Sequence, residues 1–186
     1  MKSRFLATVA VAALAAAPAL AQATKASRAD SKFIEQVAKD GQAEVDLAQL
    51  AQQKTQSPEV KSLARRLAAD HSKSNQQLMQ IAQQGGVQPP TGPDKSASKK
   101  RAKLEKLDGQ AFDQAFVKEV VQDHEKDIKY FRKEENSLKD PQLKSFAQQT
   151  LPVLQDHLQM AQQAQQATSG SGSSSRSGSS GSRTTR

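Results

Sequence analysis

The sequence predicts an all-α protein, an antiparallel four-helix bundle, on three observations. Apolar residues recur at helical spacing in four long segments. No segment alternates with a strand period, and Ser, Asp, Pro or Gly stands where each segment should start or stop. Four amphipathic helices of this length make one bundle core, with no second domain.

The first helix is expected from Asp30 or Ser31, either of which can cap it, to about Lys54, with Phe33, Ile34, Val37, Val45, Leu47 and Ala48 on its inner side. The second opens at Ser57-Pro58, a cap followed by a first-turn proline. It carries Val60, Leu63, Ala64, Leu67, Leu78 and Ile81 inward and ends at Gly85-Gly86. A long linker from Gly85 to Gly109 holds Pro89, Pro90 and Pro93, then a basic stretch, Ser96 to Leu107, able to form a short surface helix. The third helix uses Phe112, Phe116, Val120, Ile128 and Phe131. The fourth opens at Asp140-Pro141 and runs through Leu143, Phe146, Leu151, Leu154 and Leu158 to about Gln166. Pro152 inside it removes an amide donor and crowds the carbonyl of Gln148, which predicts a kink one turn before His157.

The ends read differently. Lys2 and Arg4, the apolar run Phe5 to Ala17 and the small-x-small signal Ala19-Leu20-Ala21 make residues 1–21 a signal peptide, which predicts an exported protein of the periplasm or cell envelope. The absence of Cys suits an oxidising compartment. Residues 22–29 form a short N-terminal extension and residues 30–166 the bundle. Residues 167–186, almost wholly Ser, Gly, Thr and Arg, read as a disordered tail whose Arg176, Arg183 and Arg186 can touch anionic envelope polymers or lipid. The net charge of +8 falls to +3 once Lys2, Arg4 and those three arginines are set aside. Specific nucleic-acid binding is excluded, because a basic stripe with stacking aromatics is missing and the chain has no Trp and 1 Tyr. Whether the protein is a monomer or a homo-oligomer stays open.

An internal repeat sharpens the architecture. Pro58-Glu59-Val60-Lys61-Ser62-Leu63-Ala64 aligns with Pro141-Gln142-Leu143-Lys144-Ser145-Phe146-Ala147, and the same register sets Glu44-Val45 onto Asp127-Ile128. Two similar helical hairpins, joined by the long linker and each giving one acid and one His, make a ferritin-like arrangement.

Every one of the 3 histidines follows an aspartate: Asp70-His71, Asp123-His124 and Asp156-His157. Each His, and Glu44, has apolar residues at helical-neighbour spacings, so all four should point inward. At 1.5 Å per residue, Glu44 and His71 lie about 17 and 23 Å from their hairpin turn, and His124 and His157 about 22 and 28 Å from theirs, so the four can converge in mid-bundle. Asp127 stands three residues after His124 on the same helical face.

Glu44, His71, His124, Asp127 and His157 are therefore candidate metal ligands. A di-iron centre is disfavoured, since Glu-x-x-His is absent: Ala68, Val121 and Leu154 stand three before the histidines. The nitrogen-rich set suits one Zn, Cu, Mn or Fe ion better. Neighbours on a helix do not face each other, so Asp70, Asp123 and Asp156 are expected outside the ligands, each accepting a ring N–H from a His on an adjacent helix. The same constellation serves as an ion-free polar network that sets helix pairing. No catalytic residue is assigned, because there is no Cys and the sole Ser near a His on the inner stripe is Ser74.

Gln42-Ala43-Glu44-Val45-Asp46-Leu47-Ala48-Gln49-Leu50-Ala51, Ser57-Pro58-Glu59-Val60-Lys61, Asp70-His71, Phe112-Asp113, Asp123-His124, Thr150-Leu151-Pro152 and Asp156-His157 fall in that order. With these motifs the chain resembles, over about residues 30 to 165, the ferritin-like exported bacterial family known as domain of unknown function 4142. The resemblance implies a ferritin-like bundle and an extracytoplasmic place, and carries no activity with it. Three function classes remain: a structural or interaction bundle, a metal-binding module, and a mononuclear metal-dependent redox or stress-response enzyme.

Overall fold

The computed structural model describes residues 25–170, which form five helices: α1 (Arg28–Lys54), α2 (Pro58–Gln84), α3 (Lys95–Glu105), α4 (Gly109–Glu134) and α5 (Pro141–Gly170). The expected leader, residues 1–21, and the tail beyond Gly170 lie outside the described residues. Among those described, no helix is long and apolar enough to cross a membrane.

Helix α1 begins earlier than Asp30 because Ser27 is its cap. The Ser27 hydroxyl accepts from the Asp30 amide at 3.1 Å, and Asp30 Oδ2 accepts from the Ser27 amide at 3.2 Å, a reciprocal box that places Asp30 in the first turn. Asp30 is 2% exposed, and its other oxygen accepts the amides of Lys139 at 2.8 Å and Asp140 at 3.4 Å. One carboxylate thus caps α1 and pins the start of α5. Helix α2 follows a three-residue turn, with Ser57 Oγ accepting the Val60 amide and Pro58 in the first turn. It ends where predicted, at Gly85, and Gly86 takes φ 68°, which glycine adopts without strain. Asp140 Oδ1 caps α5 by accepting the amides of Gln142 and Leu143. Helix α5 continues through Pro152, which is exposed.

The α1–α2 and α4–α5 hairpins meet chiefly where α2 packs on α5. Phe33 of α1 touches Tyr130 and Phe131 near the end of α4 and Phe146 near the start of α5. Helix α1 is therefore antiparallel to α4 and parallel to α5, and the connection from Gly85 to Asp108 crosses the full bundle length. Its short helix, α3, is capped by Asp94 and is bound to the bundle, not loosely laid on it. Leu104 is 3% exposed, Arg101 Nη1 donates to the Asp46 carbonyl, Lys54 donates to the Glu105 carbonyl, and Lys100 pairs with Glu119 and Asp123. So α3 bridges α1 and α4, which touch each other little.

The core has two apolar halves. Phe33, Ile34, Leu78, Ile81, Ile128, Phe131, Leu143 and Phe146 belong to one; Leu47, Leu63, Leu67, Phe112, Phe116, Val120 and Ala161 belong to the other. In every long helix the polar residue singled out above falls between its contributions to the two. At that level α1 and α2 approach closely, since a Cβ on Gly41 would overlap the Asn75 side chain.

Helix α5 runs four residues past the predicted end at Gln166. Thr168 is 6% exposed; its hydroxyl donates to the Ala164 carbonyl and its own carbonyl accepts from Gln110 at 2.9 Å and Gln114 at 3.1 Å. A Thr among Ser and Gly looks like tail in sequence, and the two glutamines that hold it are on α4. Ending the chain after Gln166 is expected to cost about 1–2 kcal/mol of stability relative to ending it after Gly170. Thermal melts of the two truncations check this, and equal midpoints would return residues 167–170 to the tail.

Candidate metal centre

Glu44, His71, His124 and His157 come one from each long helix, near its middle, and the helical register turns each inward between the apolar halves. The three imidazoles are 6%, 1% and 0% exposed in that order, so even His71, with two arginines close in sequence, is buried. Their ring centroids form a near-equilateral triangle, 5.5 Å for His71–His124, 5.2 Å for His71–His157 and 5.3 Å for His124–His157. One ring nitrogen from each lies within 4.8 Å of the other two.

The surroundings dictate where the ring protons sit. His124 Nδ1 is 3.0 Å from the Val120 carbonyl, which can only accept, so that nitrogen carries the proton and Nε2 is bare. His157 Nε2 is 2.9 Å from Asp70 Oδ2, and Asp70 is itself held at 2.6 Å by Arg66 Nε, so Nε2 donates and Nδ1 is bare. These two bare nitrogens, His124 Nε2 and His157 Nδ1, stand 3.2 Å apart. Facing lone pairs repel at that distance unless a proton or a cation lies between them. Glu44 Oε2 is 3.1 Å from His71 Nδ1, leaving His71 Nε2 buried without a partner among the described residues. The other Glu44 oxygen, 3.3 Å from His124 Nδ1, is likewise without a hydrogen bond.

Burial governs the electrostatics. It holds the His71 ring well below the usual imidazole value, helped by the neighbouring His124 and His157 rings. It brings His124 down to about 4, with His157 adding to the effect, and lowers His157 although the hydrogen bond to Asp70 works the other way. All three rings are neutral at pH 7, the state in which imidazole binds a metal. Burial also pushes Glu44 well above the carboxylate range, reinforced by the charges of Asp127, Asp123 and Asp40. A bound cation would relieve that burden.

The remaining candidates make no hydrogen bond to the three rings. Asp123 is taken by Lys100, whose Nζ lies 2.6 and 2.8 Å from its two oxygens, and it touches no His. Asp156 is exposed on α5. Of the three aspartates, only Asp70 accepts from a histidine of another helix. Asp127 makes no hydrogen bond or ion pair with a ring; it lines a cavity of about 550 Å³ between α1, α3 and α4 together with Asp40, Glu44, Lys100, Asp123 and Tyr130, and also a small cavity beside Glu44 and His71. Sequence reading missed Lys100, Arg66 and the Val120 carbonyl. Arg66 and Val120 were within reach, each standing one helical turn before the residue it serves.

Asp127 is pushed up to about 7 by burial and by the charges of Asp40 and Asp123. A raised pKa means that the folded state keeps a proton the unfolded chain has lost, so stability falls as pH rises from about 4 to 7. Asp127→Asn should then melt with the parent protein at pH 4 and above it at pH 8. A lower midpoint at pH 8 would show instead that the ionised carboxylate holds something favourable.

The sequence matches a family described as a domain of unknown function (DUF4142) over residues 15–164. Among curated proteins no sequence matches. Similar solved structures include CopM in its Cu(II)-bound form, with a TM-score of 0.64 and 22% identity over 74% of this chain and 96% of that one. CopM in the Cu(I)-bound form gives 0.63 and 20% over the same shares. A DUF305 fragment from Deinococcus radiodurans gives 0.69 and 14%, covering 77% of this chain and 99% of that one. At these identities the likeness establishes a common helical-bundle fold. With four-fifths of its length inside the matched region, this chain belongs to the DUF4142 family of domains of unknown function.

Proposed function

We propose that the bundle is a metal-binding module holding one transition-metal ion among His71, His124 and His157, with Glu44 and Asp70 orienting the rings from outside. The observation that carries this reading is the inward convergence of ring nitrogens: two bare ones stand 3.2 Å apart, and a third, the buried His71 Nε2, has no hydrogen-bond partner among the described residues. Metal–nitrogen bonds of 2.0–2.1 Å set neighbouring ligand nitrogens about 3.4 Å apart, so the His124–His157 pair already has the spacing. A carboxylate or carbonyl behind each ring is the usual outer arrangement of a histidine metal site. The chain has no Cys and Met79 is exposed, and the ligand groups brought together at the centre are three imidazoles with a carboxylate beside them. Such a set suits Zn(II) or Cu(II) over the sulfur-seeking Cu(I) and Ag(I). The metal-bound CopM structures support the reading by analogy of fold. We also infer, from residues 1–21, that the protein works outside the cytoplasm.

Titration of metal-free protein with Zn(II) or Cu(II) should give one ion per chain. Because burial depresses the ring pKa values, His124 to about 4, protons compete weakly. Bound metal should persist through pH 6, where free imidazoles near 6.5 are already charged, and be released on approaching pH 4. Loss of the metal between pH 7 and 6 would place the ion on exposed groups and overturn the assignment.

The ion-free polar network is favoured by one contact: the His157–Asp70 bond joins α5 to α2 across the main seam between the hairpins. It predicts no metal uptake at all.

A further inference from the structure

Helix α3 has two opposite charged faces. Inward, Lys100 pairs with Glu119 and Asp123, and Arg101 pairs with Glu105 and donates to the Asp46 carbonyl. Outward, Lys95, Lys99, Lys103 and Lys106 are exposed and, among the described residues, none of them pairs with a carboxylate. Spacings of four, four and three residues at 100° per residue keep the four lysines within an arc of about 80°, along a ridge about 16 Å long. Like charges one turn apart destabilise an isolated helix. Here α3 is held in place by Leu104, Lys100 and Arg101, so the ridge is carried at a standing electrostatic cost.

No part of this chain outside the described residues can neutralise it. Residues 1–24 contain Lys2 and Arg4 and no acid; residues 171–186 contain three Arg and no acid. An anionic partner molecule would supply the counter-charge that these segments lack. The ridge lies exposed on the outside of the bundle, with no aromatic or Arg fork on its outer face for stacking or bidentate recognition. Flexible lysines on a straight ridge suit a flat array of anions able to gather beneath them.

We propose that the outer face of α3 docks the protein onto an anionic phospholipid surface through Lys95, Lys99, Lys103 and Lys106. Each lysine near such a surface contributes about fivefold in partitioning at low salt, so the ridge contributes about 100-fold when three engage at once and roughly 600-fold when all four do. The attraction falls as the screening length shrinks, from about 30 Å at 0.01 M salt to about 3 Å at 1 M.

The test is co-sedimentation of the full chain with phosphatidylglycerol–phosphatidylcholine vesicles, uncharged phosphatidylcholine vesicles setting the baseline. Binding above that baseline should appear at low salt and disappear by 1 M. Replacing all four lysines by Gln should lower it about 100-fold or more while the melting temperature stays the same or rises. Replacing Arg176, Arg183 and Arg186 by Gln should leave most of it. The proposal is overturned if the four-lysine variant binds within twofold of the parent protein. It is equally overturned if the lysines matter for a soluble polyanion such as polyphosphate but not for vesicles, or if they govern self-association instead.

Discussion

Replacing any one of His71, His124 or His157 by alanine is expected to abolish retention of the single ion. In the proposed site three neutral rings would supply its whole protein shell, and two imidazoles cannot replace three. Asp70→Asn and Glu44→Gln should weaken binding about 10- to 100-fold, because each leaves a ring free to turn or to shift its proton. Asp156→Asn should change nothing, the residue being exposed, and Asp123→Asn should act only through Lys100. Metal at about 1,000 times its dissociation constant stabilises the folded protein by about 4 kcal/mol, which for a domain of this size raises the melting temperature roughly 10 °C. The alanine variants should show no such rise. A triple-histidine variant that keeps its metal would end the hypothesis. If metal changes nothing in the parent and His157→Ala alone costs about 1–3 kcal/mol, the cluster is a structural network.

A second large effect is expected at Asp30. Removing the side chain deprives the Ser27, Lys139 and Asp140 amides of their acceptor, two of them at the far end of the molecule's other hairpin. Hydrogen bonds to a buried carboxylate are worth about 1.5–3 kcal/mol each when one partner is stranded, so Asp30→Ala should lose about 3 kcal/mol, or roughly 10 °C. Ser27→Ala, which removes only the cap, should lose about 1 kcal/mol. Burial works against ionisation of Asp30, but the bonds from Ser27, Lys139 and Asp140 outweigh it and hold the carboxyl below its ordinary value. Its contribution is therefore complete above pH 4 and fades as pH falls through the folded pKa. Chemical denaturation at pH 7 decides the matter: equal losses for the two variants would mean that Asp30 does nothing beyond capping α1.

The contrast at Asp30 marks where sequence reading stops. Local signals were legible: Ser57-Pro58, Gly85-Gly86 and Asp140-Pro141 each punctuate the chain where the helices turn. The inward pointing of all three histidines followed from apolar neighbours at helical spacing. Pairings distant in sequence were not legible. Lys100 lies 23 residues from Asp123, and Asp70 lies 87 from His157; only the docking of α3 on α4 and of the two hairpins on each other brings them together. The inner packing of α3 hangs on Leu104, a single apolar residue in a basic run, too weak a period to announce which face is buried. Which ring nitrogen faces inward depends on the carbonyl or carboxylate behind it, and that is a property of the assembled bundle.

The histidines are divided unequally: His71 belongs to the first hairpin, His124 and His157 to the second. Each hairpin is a natural unit of local opening, and a ligand shared between two units ties their opening into one event. Amide exchange along α2 and α5 would then slow together on loading the centre, while the ends of α1 and α4 kept their own rates. On the proposed reading an ion so placed would act as a rivet, and its removal would let the two halves breathe independently.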